Sequence, residues 1–239
     1  MRVHHGLDIT DEGMFDRKIT LSDGQRRRQV LPSEVRLSLD DVDRYVIAAA
    51  RARGYPEEFL TEAARQVRFL EARGLPGFAS FRREMLEHGT ETLTQRGQVA
   101  RQDGQSGGQC PMIDALRIAQ RFDRIVALPP GRETDCPMPS NPLLVVPMLA
   151  ECAGLHGVIM MTTFYIHERP GAYVFVDGDR AALHGSYHAL FEADSWGIAR
   201  FPEETHGTPP LREAHVEAIE FPADALRDLM TLIESQDEQ

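Results

Sequence analysis

Lysine is almost absent from this chain. Of its 26 basic residues only Lys18 is lysine, and the rest are arginine. Schiff-base chemistry, pyridoxal phosphate included, needs a positioned and desolvated amine, and Lys18 lies in a polar N-terminal stretch. That class is set aside. No GxxxxGK[ST] phosphate loop occurs, which removes ordinary phosphate-loop nucleotide hydrolysis. No apolar run is long enough to span a bilayer, so no membrane partner is expected. Residues 1–30 lack the apolar core of a secretory signal, and a cytoplasmic location is expected. Cysteine is scarce: Cys110, Cys136 and Cys152 are an odd number with no short metal-ligand pair. They imply a reducing compartment and no disulfide framework. Basic charge is also short. With 37 acidic residues against 26 basic ones the formal charge is -11, which disfavours nucleic acid as a partner, because affinity there comes mainly from neutralising phosphates. Arg26, Arg27 and Arg28 are a local exception and read as a solvated patch.

What is present suits a folded α+β protein. At 239 residues and 42% hydrophobic content the chain can bury a sizeable core. We read an extension at 1–36, a helical module at 37–89, a flexible loop at 90–109 and an α+β part at 110–239, together one compact domain. The helical module carries clear start and stop signals. Ser38 is an N-cap with Asp41 three residues on, and Leu37 and Val42 flank it at staple spacing. Gly54 and Gly74 end helices, and Pro56 and Pro76 restart them. The stripes Val42, Tyr45, Val46, Ala49 and Phe59, Leu60, Ala63, Ala64, Val67, Leu70 face either a core or the matching face of a homodimer.

Downstream, residues 90–109 are rich in Gln and Gly, and high mobility is expected of Thr90 to Gln109. Met112 to Phe122 reads as helix, and 128–141 as a rigid irregular segment with four prolines. Asn141 is expected to cap a helix with Pro142 at its first position, running to Gly154. Val158 to Ile166 and Tyr173 to Val176 read as strands joined at Pro170-Gly171, with a turn at Asp177-Gly178 and a third strand over Arg180 to Leu183. Tyr187 to Ala193 reads as helix, Trp196 to Phe201 as strand, Pro202 to Pro210 as linker, Val216 to Phe221 as strand and Ala223 to Ile233 as a closing helix.

Several of these segments carry a family resemblance. They are LSLDDV at Leu37–Val42, EAARQVRFL at Glu62–Leu70, ARGLPG at Ala72–Gly77, the Gly-rich lead into Cys110-Pro111, PLLVVPMLA at Pro142–Ala150 and DGDRAALHG at Asp177–Gly185. Together they resemble the bacterial family called domain of unknown function 3726. The resemblance implies a bacterial cytoplasmic protein tied to small-molecule metabolism, and it assigns no residue roles.

The residues themselves offer three candidate chemistries, and they name no cofactor. Cys110 sits between a Gly-rich stretch and Pro111; if a helix begins there, its N-terminal amides favour the thiolate. As nucleophile of a hydrolase or lyase it needs a base, with His188, His88 and His156 in view. The plain alternative is a buried thiol. His184 and His188 are four apart and on a helix would share a face and hold a metal, although Gly185 between them weakens that helix. Arg169, Arg180 and Arg200 carry planar forks suited to a substrate carboxylate, or are ordinary charges at turns. Two function classes follow: an enzyme of small-molecule metabolism, or a non-catalytic ligand-binding or accessory subunit assembling through its amphipathic helices.

Overall fold

The start signal at Ser38 is realised in full. Ser38 Oγ accepts the Asp41 N–H at 3.1 Å and the Asp41 carboxylate accepts the Ser38 N–H at 2.9 Å, a reciprocal capping box. The computed structural model describes residues 33–87, 111–134 and 136–235, the side chains of Glu204 and Thr205 excepted. The expected mobile loop at 90–109, His88 and Cys110 lie outside the described residues.

β1 (Glu34–Ser38) runs straight into α1 (Leu39–Ala52), which is followed by α2 (Glu57–Ala72) and α3 (Gly77–Glu87). Arg68 reaches from α2 to Asp40 at 2.7 Å and Asp43 at 2.6 Å on α1. The stripes on α1 and α2 are buried within the chain: Val42, Val46 and Leu70 are fully covered. These apolar faces therefore build core, and it is their exposed backs that remain for any second copy. α3 starts hard against α2. A Cβ on Gly77 would stand 2.7 Å from Leu70 Cβ and 2.8 Å from the Val67 carbonyl, so only glycine lets the backbones approach this closely. Glu71 caps that start, accepting the Phe78 N–H at 2.7 Å. Burial pushes the Glu71 carboxyl up to about 7, against the opposing pull of the Phe78 and Gly77 amides.

The helix expected over Met112 to Phe122 is two pieces, α4 (Pro111–Ala119) and α5 (Phe122–Val126). The helix expected from Pro142 is also divided. Pro142–Val145 is a 3-10 turn, and α6 (Val146–His156) begins after it with Pro147 in its first turn, where a missing N–H costs nothing. Asn141 makes no capping bond; its side-chain amide donates instead to the Ser80 carbonyl at 2.9 Å, tying this turn to α3.

Next come β2 (Met160–Ile166), β3 (Arg169–Asp177), β4 (Arg180–Gly185), α7 (Ala189–Glu192) and β5 (Ser195–Arg200). They form an antiparallel sheet in the order β4-β3-β2-β5. The turn between β2 and β3 is not at Pro170-Gly171. It falls on His167 and Glu168, both at positive φ (49° and 62°), which gives the tight twist a two-residue hairpin needs. Pro170 then lies inside β3 opposite a bulge at Phe164/Tyr165, where its missing N–H is tolerated. After α8 (Glu203–His206), within the segment expected as linker, β6 (Ala218–Pro222) pairs antiparallel with β1 and leads into α9 (Ala223–Glu234). Phe221 on β6 packs its ring 4.7 Å from that of Phe78. The architecture is α+β. One sheet face, with Met160, Phe164, Val174, Val176 and Ile198, is buried in the helical core. The other face carries Thr163, Tyr165, Tyr173 and Phe175. No helix among the described residues is long and apolar enough to cross a membrane.

Candidate ligand cleft

Among the described residues the sequence-derived candidates do not converge. Arg169 begins β3 and Arg180 lies just past its far end, paired with Asp177. A nine-residue strand at about 3.3 Å per residue separates them by roughly 25 Å. Arg200 is at the end of β5, opposite Met160. The three forks therefore cannot clamp one carboxylate. His184 is in β4, its ring 6.3 Å from Tyr173, and Gly185 at φ 111° turns the chain before exposed His188. They do not share a helix face, and no group of three or more metal-ligating side chains occurs among the described residues. His156 packs on Phe122, with ring centroids 5.0 Å apart, and approaches Asp123 at 3.4 Å.

A different set of residues does converge. α4, α5 and the flanking residues Leu128, Thr134, Cys136 and Pro137 enclose a cleft of about 510 Å³. Arg117 is near the end of α4, Arg121 is in the two-residue break and Arg124 is on α5. All three line the same cleft, although the helix is broken between Ala119 and Phe122. Asp114, buried at 6% exposure, meets Arg117 at 3.4 Å. Ile118, Ile125 and Leu128 form an apolar wall, and Thr134, Cys136 and Pro137 close the opposite side.

The segment that closes the cleft is fastened at four places. Gly131 N–H donates to the Arg200 carbonyl at 2.8 Å and Thr134 N–H to the Ile198 carbonyl at 2.9 Å, adding a short rung to the β5 edge. The Trp196 indole donates to the Pro137 carbonyl at 3.2 Å. Between them, Glu133 lies over the sheet face opposite the core. Its carboxylate accepts from Thr163 Oγ at 2.5 Å and from the Tyr165 hydroxyl at 2.6 Å. Burial, then the Glu133 hydrogen bond and charge, push the Tyr165 phenol up to about 12, so it remains a donor. A side chain at Gly197 would collide with the Glu133 carboxylate. Successive residues of an extended segment face opposite ways, so Glu133 grips the sheet while Thr134 lines the cleft.

Sequence reasoning passed over this cleft. Arg117, Arg121 and Arg124 stand at i, i+4 and i+7, a legible arginine face, but the same pattern fits a solvated helix back. Glu133 gave no signal, because its partners lie 30 and 32 residues away. The chain matches no protein-family model, no curated protein and no solved structure. Its class is defined by its own fold, an α+β protein with a helix-backed antiparallel sheet and an arginine-lined cleft at the sheet edge.

Proposed function

We propose that this is a ligand-binding protein that holds a small organic anion in the cleft between α4, α5 and the residues Leu128, Thr134, Cys136 and Pro137. One observation carries the reading. Among the described residues Arg121 and Arg124 form no ion pair, although they line a concave surface. Elsewhere among the described residues Arg51, Arg65, Arg68, Arg82 and Arg180 are matched with carboxylates, while Arg36, Arg132, Arg169, Arg200, Arg212 and Arg227 are not; what sets Arg121 and Arg124 apart is that they stand together in one concave lining. In a chain of formal charge -11, two cations left without acidic partners in one cleft suit an anion brought from outside. The volume fits a metabolite-sized ligand rather than a macromolecule. This agrees with the small-molecule metabolism in a bacterial cytoplasm that the resemblance to domain of unknown function 3726 implies.

A thermal-shift panel of organic anions tests the reading. A binder should raise the unfolding midpoint, by about 2.7 kcal/mol of stabilisation at a hundredfold excess over Kd. The shift should vanish in an Arg121→Gln/Arg124→Gln variant. An undiminished shift in that variant would place the ligand elsewhere.

A second reading, an enzyme of hydrolase or lyase type, is favoured by Cys136. Its half-buried thiol lines the same cleft as the arginines. This reading expects a Cys136→Ser variant to bind ligand and lose turnover. Turnover at the original rate would remove Cys136 from the chemistry.

A further inference from the structure

Resting on the anion reading of the cleft, we infer that the ligand is a soluble phosphate monoester with an apolar body. The charge on the lining sets the first half of this assignment. Asp114 and Arg117 are opposite charges 3.4 Å apart and offset one another. Among the described lining residues Arg121 and Arg124 then leave a surplus of two positive charges. A phosphate monoester carries a charge of about -1.5 to -2 at neutral pH and three acceptor oxygens. Two guanidinium forks match that charge and geometry. A monocarboxylate would leave one arginine uncompensated.

The apolar part of the lining sets the second half. Half-buried Leu128 and the small exposed edges of the otherwise buried Ile118 and Ile125 line the same space, and inorganic phosphate would leave that apolar surface in water. An apolar group carried by the ester covers it, and the gain scales with the area removed from water. At about 510 Å³ the cleft has room for such a body beside the phosphate.

Calorimetric titration at fixed ionic strength with phenyl phosphate, inorganic phosphate and benzoate tests the inference on the full chain. Phenyl phosphate should bind at least about tenfold more tightly than either of the others, since each lacks one of the two contributions. The Arg121→Gln/Arg124→Gln variant, with an unchanged unfolding midpoint, should weaken phenyl phosphate by about 100-fold. Benzoate binding as tightly as phenyl phosphate would overturn the dianion and leave the anion cleft standing. Inorganic phosphate binding equally well would overturn the apolar body. No arginine-dependent binding of any of the three would overturn the assignment; if the wider anion panel also gave none, the cleft reading would fall with it. Vesicles of phosphatidic acid in phosphatidylcholine should not compete with phenyl phosphate. Competition would transfer the site from a soluble ester to a lipid headgroup.

Discussion

The indole N–H of Trp196 donates to the carbonyl of Pro137 at 3.2 Å. This bond joins the sheet to the wall of the cleft, because Trp196 is on β5 and Pro137 lines the cavity. Trp196 is the only tryptophan in the chain, so its emission reports on that wall alone. A Pro137→Ala variant keeps the carbonyl and should leave the emission close to that of the original protein. Unfolding should shift it fully toward that of a water-exposed indole. A large change on Pro137→Ala alone would mean that the ring, not the carbonyl, sets the indole's environment.

Glu133 is the second fastening of the same wall. Glu133→Ala leaves the buried Thr163 hydroxyl without its acceptor and frees Tyr165, which should cost about 2–4 kcal/mol by urea denaturation. Gly197→Ala drives a methyl into the carboxylate and should cost about 1–3 kcal/mol. In the double variant the methyl no longer meets Glu133, so its cost should fall well short of the sum of the two single changes. Strict additivity would show that Glu133 and Gly197 do not touch in solution.

Glu71 gives the stability a pH dependence of definite sign. Its carboxyl is raised from an ordinary 4.5 to about 7. The folded state thus holds this proton more tightly than the unfolded state. The stability it contributes is full below about 4.5 and is lost as pH rises through about 7. The span corresponds to about 3 kcal/mol at most. Glu71→Gln retains an oxygen to accept the Phe78 N–H and removes the titration. Its denaturation midpoint should be flatter between pH 5 and pH 8, on the order of 1 kcal/mol or more. An unchanged slope would assign the pH dependence to other groups.

The two described cysteines should separate on alkylation. Burial, aided by the Glu151 charge, raises the Cys152 thiol and suppresses its thiolate. Cys136 lines the cleft, so a bound ligand should slow its labelling in peptide mapping and leave Cys152 unchanged. Equal protection of both thiols would indicate global stabilisation rather than occupancy of the cleft.

Local signals were legible in the sequence, and long-range ones were not. The Ser38 capping box, the stops at Gly54 and Gly74 and the closing helix at Ala223 depend on neighbours a few residues apart, and the structure has them all. The hairpin at His167-Glu168 was hidden, because Pro170-Gly171 is the stronger turn dipeptide and a bulge absorbs it into β3. Asn141 has the chemistry of a cap, yet a carbonyl 61 residues away takes its amide. The arginine-lined cleft was hidden for the same reason. Arg169, Arg180 and Arg200 share a residue type, while Arg117, Arg121 and Arg124 share a place, and only the fold reveals the place. Cys110 and His88 remain a sequence expectation outside the described residues.

The most direct test follows Trp196 emission while phenyl phosphate is added to the original chain and to Arg121→Gln/Arg124→Gln. The account predicts a saturable change in the original chain that weakens as salt rises. It predicts no change over the same concentrations in the variant, with both proteins unfolding at the same urea concentration. A saturable change of equal midpoint in both proteins would contradict the claim that these two arginines hold the ligand.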